Sequence, residues 1–134
     1  MEKIIGWNIA FGAKGVKGKA KDHIYKLVEN IEWKPHPINK NVDLGFIITK
    51  KEDEVEVTCI IAKVPKGESI PEHNHEVQDI IVPLSGKGKF WIEGLGEFEM
   101  KKGVIFNIPP GVVHKLYDVT EDLEIFDVFS GPIL

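Results

Sequence analysis

The stretch from Gly67 to Gly86, GESIPEHNHEVQDIIVPLSG, holds three potential metal ligands of two kinds, His73, His75 and Asp79. One residue separates the histidines. On a helix that spacing turns them about 200° apart, whereas on a strand both leave one face within roughly 7 Å, so only a strand lets both imidazoles reach one ion. Pro71 supports the strand, because it lacks an N–H and pushes Ile70 towards extended backbone. Asp79 comes four residues after His75, too far along a straight strand to share an ion bound at about 2.1 Å. A turn through Glu76, Val77 and Gln78 is therefore expected, with Asp79 opening an antiparallel strand, Asp79 to Leu84, that Gly86 ends.

A second stretch has matching punctuation: Gly103, then Pro109, Pro110 and Gly111, then His114 and Asp118. Pro110 and Gly111 suit the central positions of a type II turn, one fixing φ near −65° and the other taking a positive φ. His114 then lies near the start of a strand, Val112 to Asp118. The two stretches together resemble the motifs of the cupin superfamily, a Gly, His, His, Glu, Gly pattern followed by Gly, Pro, Gly, His, Asn. Asp79 stands where Glu is usual and Asp118 where Asn is usual. The resemblance covers residues 67 to 118, with compatible strands from about Lys34 to the end. It implies an all-β, double-stranded β-helix (jelly-roll) barrel with one metal held by His73, His75, Asp79 and His114. Asp is one methylene shorter than Glu, so a three-histidine site with Asp79 beside it is the alternative.

The elements that would position these residues read as short strands. Val42 to Lys50 and Val55 to Lys63 flank a charged turn, Lys51 to Glu54, as a hairpin. Lys87 to Glu93 alternates, with Phe90 and Ile92 on one face; Glu97 to Met100, Val104 to Ile108 and Leu123 to Phe129 follow. The last is nearly all apolar and is expected to be buried on both sides. Pro83 conflicts with a central strand and requires a bend or an edge. Trp33 to Pro37 must be loop or edge for the same reason, and His36 between its prolines reads as a loop residue. Residues 23 to 33 are expected to be extended. This spacing of strands, Gly and Pro turns, without a convincing long helix, argues for a sandwich or barrel.

With 134 residues, 43% hydrophobic and 28% charged, the chain has room for one domain and is not a disordered composition. We expect an N-terminal arm, 1–33, and a barrel, 34–134. The arm begins with apolar Ile4, Ile5, Trp7, Ile9 and Phe11 and continues as GAKGVKGKAK. A phosphate-loop reading of that basic run fails, because Ala20 occupies the position where Ser or Thr should follow the lysine. The apolar start needs a covering surface, which predicts a homodimer. No apolar run is long enough to span a membrane, the N-terminus does not read as a signal peptide, and Cys59, alone, forms no internal disulfide, which favours the cytoplasm. All 17 basic residues are lysine and the net charge is −4. Without arginine's planar fork a polyanionic ligand is disfavoured, and nothing suggests nucleic acid.

Three imidazoles and a carboxylate suit Mn, Fe, Co, Ni, Cu or Zn without choosing among them. The partner expected is a small organic molecule in an apolar pocket lined by Phe90, Ile92, Phe98 and Leu116. Glu72, Glu76 and Gln78 are candidates for proton transfer. The resemblance implies dioxygenases, decarboxylases and isomerases, and the favoured reading is a dioxygenase-like oxidoreductase. A non-catalytic binding or sensor barrel, or a metal-dependent isomerase or decarboxylase, is the alternative.

Overall fold

The computed structural model describes residues 23–133; residues 1–22, the greater part of the expected arm, lie outside that range. Among the described residues, eight strands form one sheet that curls into a jelly-roll barrel. They are β1 (Glu32–His36), β2 (Asn39–Ile48), β3 (Thr58–Val64), β4 (Ile70–His73), β5 (Asp79–Ile92), β6 (Gly96–Lys101), β7 (Phe106–Ile108) and β8 (His114–Phe129). Their order is β1-β2-β3-β8-β5-β6, with β4 also on β8 and β7 also on β5. All the pairings are antiparallel. Val42, Leu44, Ile60, Ala62, Phe90, Met100, Leu116 and Ile125 face inward and form the core, as period-two alternation along strands with one wet face requires. Cys59 is buried too.

The strands β5 and β8 carry the architecture, and both run longer than their sequence suggests. Gly86 does not end β5. It takes φ 92°, and a Cβ there would lie 2.1 Å from the Asp122 carbonyl oxygen. The missing side chain lets two bent strands touch, so glycine here permits continuation. Further along, Asp118 adopts φ 51° within β8, a left-handed conformation that Asp and Asn tolerate best among residues with a side chain. The segments 112–118 and 123–129 are thus parts of one strand.

Pro83 is accommodated by the same bend. On the far side from β8, β5 pairs with β7 only through Ile81 and with β6 only from Lys87. Pro83 falls in the gap, and the β5–β8 register slips immediately after it. Its missing N–H therefore has little ladder to break.

Other expectations need correction. Residues 28–30 form a 3-10 turn, not extended chain; Lys26 anchors the segment through a 2.6 Å ion pair to Asp53, and Ile24 and Tyr25 are exposed. The charged turn between β2 and β3 is a short helix, α1 (Lys50–Asp53), started by Thr49, whose hydroxyl accepts from Glu52 N–H, and ended by Glu54 at φ 58°. This is a favourable N-cap. The loop-or-edge expectation for 33–37 holds: residues 33–36 belong to β1 at the end of the strand order, with Pro35 where an edge admits it.

Candidate metal centre and ligand cavity

The site lies where the two sequence stretches meet. His73 ends β4, His114 begins β8, and the two are cross-strand partners. His75 sits in the loop between β4 and β5. That loop is fastened to the Pro110–Gly111 turn: Gly111 N–H donates to His75 O at 2.8 Å and Asn74 Nδ2 to Gly111 O at 3.3 Å. The turn has the expected form, with Val112 N–H donating to Pro109 O and Gly111 at φ 81°. Local turn chemistry thus holds the two parts of the site against each other.

The imidazole nitrogens of His73, His75 and His114 lie within 4.8 Å of one another. Donor separations around an ion bound at about 2.1 Å cannot exceed about 4.2 Å, so a small closure suffices to bind one. Asp79 lies alongside, its Oδ2 3.7 Å from His75 Nε2 and 3.9 Å from His114 Nε2. It falls outside the group formed by the three imidazoles, as the shorter side chain would have it.

Hydrogen bonding prepares two of the rings. His73 Nδ1 lies 2.7 Å from Pro71 O and His114 Nδ1 2.9 Å from Val112 O. A carbonyl can only accept, so each Nδ1 carries the proton and each Nε2 keeps its lone pair. His114 is 2% exposed, and its Nε2 is buried without a hydrogen-bond partner, as is Asp79 Oδ1. Orphaned buried atoms are costly and uncommon. Here they surround the point where an ion would sit, so the donor set fits a transition metal. Burial, followed by mutual repulsion with the other imidazoles, lowers His75 to about 4; burial also lowers His114 to about 4 and depresses His73. The rings are therefore neutral near pH 7, the form that coordinates.

Sequence reasoning overlooked Asp127. It lies on β8 in the alternating inward series Leu123, Ile125, Asp127, Phe129, and it is buried. The position was readable as the acid in phase with the apolar face; treating the whole segment as buried on both sides concealed it. Asp127 packs against Asp79. Burial raises Asp79 to about 7, opposed by its bond with Asp127, and burial followed by the Asp79 charge raises Asp127 well above the usual carboxylate range. Two buried acids so placed hold a proton between them.

Beneath the imidazoles is a cavity of about 220 Å³, walled by Leu44, Ile60, Ile81, Leu116, Ile125 and Phe129 among others. No lysine lines it. Phe90 and Leu116 are in its wall as expected, but Ile92 and Phe98 are not; Phe98, on the sheet-edge strand β6, is 40% exposed. Glu72 and Glu76 face solvent, Glu72 3.9 Å from Lys115, and Gln78 bonds Asn107, so none of the three lines the cavity. His36, read as a loop residue, stands at the cavity mouth, its ring 6.0 Å from that of His73. A larger hollow beside α1, about 1030 Å³ and lined by Lys26, Lys50 and Asp53, is separate from the imidazole group.

Residues 60–129 match the family model described as the Cupin domain. The chain belongs to the cupin family. An uncharacterized protein of Streptomyces coelicolor is 27% identical to this cupin over 66 residues, 49% of this chain and 62% of the relative's length. The chain thus spans less than two-thirds of that curated relative. Among solved structures, a protein described as a predicted oxalate decarboxylase from Thermotoga maritima aligns with TM-score 0.67 and 21% identity over 81% of this chain and 97% of its own. The polyketide cyclase RemF from Streptomyces resistomycificus aligns with TM-score 0.68 and 20% identity over 78% and 77%. At these identities the likeness extends to the fold. Among the described residues no helix is long and apolar enough to cross a membrane.

Proposed function

We propose that this cupin is a metal-dependent, dioxygenase-like enzyme acting on a small organic molecule, with one divalent transition ion held by His73, His75, His114 and, as fourth ligand, Asp79. The observation that carries the reading is the grouping of three neutral imidazoles on an apolar cavity that no lysine lines among the described residues. When bound, such an ion supplies Lewis-acid or oxygen-activating chemistry. The chain's own residues do the rest. Proton placement on Nδ1 keeps His73 and His114 as ligands, the aliphatic walls exclude water, and Asp127, buried behind Asp79, can hold or release a proton. Weakly charged ligands that chelate through one or two oxygens suit such a cavity.

The buried acid pair favours a second reading, a non-oxidative decarboxylase, isomerase or cyclase in which Asp127 moves a proton. The structural neighbours described as a predicted oxalate decarboxylase and a polyketide cyclase are in keeping with it. Oxygen uptake by protein reconstituted with Fe(II) or Mn(II), across phenols, diketones and thiols, decides between them. Oxygen consumption with a product supports the oxygenase. Turnover of phosphosugars or carboxylic acids without oxygen consumption supports the second reading, and specific binding without turnover supports a sensor. The proposal extends to a cytoplasmic homodimer covered by the apolar start, residues 4–11, which lies outside the described residues. Deleting residues 1–12 should lower the mass in sedimentation; a monomeric full-length chain would contradict it.

A further inference from the structure

Four imidazoles border the cavity, and hydrogen bonds fix the proton's place on three of them in two different ways. At His73 and His114 a backbone carbonyl faces Nδ1, which must donate and leaves Nε2 as a lone pair. At His36 the relation is reversed: the backbone N–H of Ile38 donates to Nδ1 at 3.1 Å. A neutral imidazole has one donor and one acceptor, so an Nδ1 that accepts places the proton on Nε2. His36 therefore cannot serve as a further ligand through Nε2 in this arrangement, though its ring is next to His73. It offers a donor where its neighbours offer lone pairs.

The local fold produces this reversal. His36 ends β1, and Pro37 and Ile38 turn the chain into β2, where Asn39 pairs back with His36. Pro37 has no N–H to give, so the next amide, that of Ile38, reaches the ring. The hairpin carries His36, Pro37 and Ile38 to the mouth of the cavity. Elsewhere in the lining, Asp79 and Asp127 are acids, and the Asn74 amide is engaged by Gly111 O. The cavity of about 220 Å³ is larger than one of about 150 Å³ that accepts benzene, which suits a single substituted ring.

We propose that His36 is a substrate-binding residue that gives its Nε2–H to an acceptor oxygen of a small, ring-sized oxygen ligand held at the metal. The assignment rests on the metal reading of the three other imidazoles. It explains how a cavity with aliphatic walls can fix the orientation of a chelating ligand: the ion takes one end and His36 marks the mouth. It also selects against ligands with only donor hydrogens at that position.

Long-range nitrogen–proton NMR on the metal-free protein should find His36 as the Nε2–H tautomer and His73 and His114 as Nδ1–H. His36 as the Nδ1–H form would overturn the proposal. The second measurement uses Co(II)-loaded protein and maltol, a ring-sized hydroxy-ketone that chelates through two oxygens, titrated by visible absorption. His36→Phe should keep full Co(II) content and bind maltol about threefold to tenfold more weakly, the worth of one neutral hydrogen bond. His36→Gln, which retains an N–H donor, should lose less. Unchanged maltol affinity in His36→Phe, or loss of Co(II) from it, would refute the donor role. Failure of the wild-type protein to take up Co(II) would instead refute the metal reading, and this proposal with it.

Discussion

Replacing His114 by leucine separates what the imidazole does for the fold from what it does for the ion. His114 is 2% exposed and its Nε2 has no partner. Burying an unsatisfied polar atom costs about 1–3 kcal/mol, while the bond from Nδ1 to Val112 O contributes about 1 kcal/mol. Leucine is close to histidine in volume and meets Phe90, whose ring lies 5.6 Å from that of His114, so packing is largely preserved. Relief of about 2 kcal/mol, offset by about 1 kcal/mol for the lost bond, leaves the metal-free variant about 1 kcal/mol more stable than wild type. For a chain of this length that is roughly 4 °C in Tm. A divalent ion at a hundred times its Kd should stabilise wild type by about 2.7 kcal/mol and His114→Leu not at all. Thermal unfolding with and without metal measures both effects. A metal-free variant less stable by more than about 1 kcal/mol would show that the imidazole is well satisfied without an ion, and the reasoning would fail.

Acid should act on the metal-free protein with opposing signs. His75 and His114 fall from 6.5 to about 4 on folding, so the unfolded chain binds more protons between these values; their contribution is complete above about 6.5 and lost as pH falls towards 4. Asp79, raised from 3.8 to about 7, and Asp127, raised as well, contribute below their unfolded values and lose that contribution as pH rises through the folded ones. Urea midpoints should fall from pH 6.5 to 4.5, and more steeply in Asp127→Asn, which removes an opposing group; a shallower fall in the variant would contradict the shared proton. Proton competition for the ion should also begin nearer pH 5 than the value of about 6.5 of a free imidazole, as metal release across a pH series would test. Gly86→Ala should cost at least about 2 kcal/mol, because φ 92° is strained for alanine and its Cβ would meet the Asp122 backbone at 2.1 Å; a loss under about 1 kcal/mol in denaturant would refute the close approach.

The three histidines were legible in the sequence because their spacing and the flanking turns match the two cupin motifs, which imply that they share a site. The strand expected to carry both histidines ends at His73, and His75 lies in the loop beyond it, while Pro110–Gly111 announced the turn before His114. Long-range contact was less legible. Gly86 resembles a strand end until Asp122 is seen against it, and Asp127 passes for part of an apolar strand until its phase is set by Leu123 and Phe129. His36 gained its place through the β1–β2 hairpin, whose position over the cavity depends on the whole barrel. Phe98 was misplaced because alternation gives a face but not whether the strand lies at the sheet's edge. Asp79 was legible as a neighbour of the imidazoles, its Oδ2 3.7 Å from His75 Nε2 and 3.9 Å from His114 Nε2, whereas its side-chain reach could not be read from the sequence.

The central claim is that His73, His75 and His114 hold one metal ion per chain. Elemental analysis of the purified, metal-reconstituted protein and of His73→Ala, His75→Ala and His114→Ala tests it directly. The account predicts about one equivalent of a divalent transition metal in wild type and loss of most of it in each folded variant. Wild type without stoichiometric metal, or variants that retain it in full, would contradict the assignment.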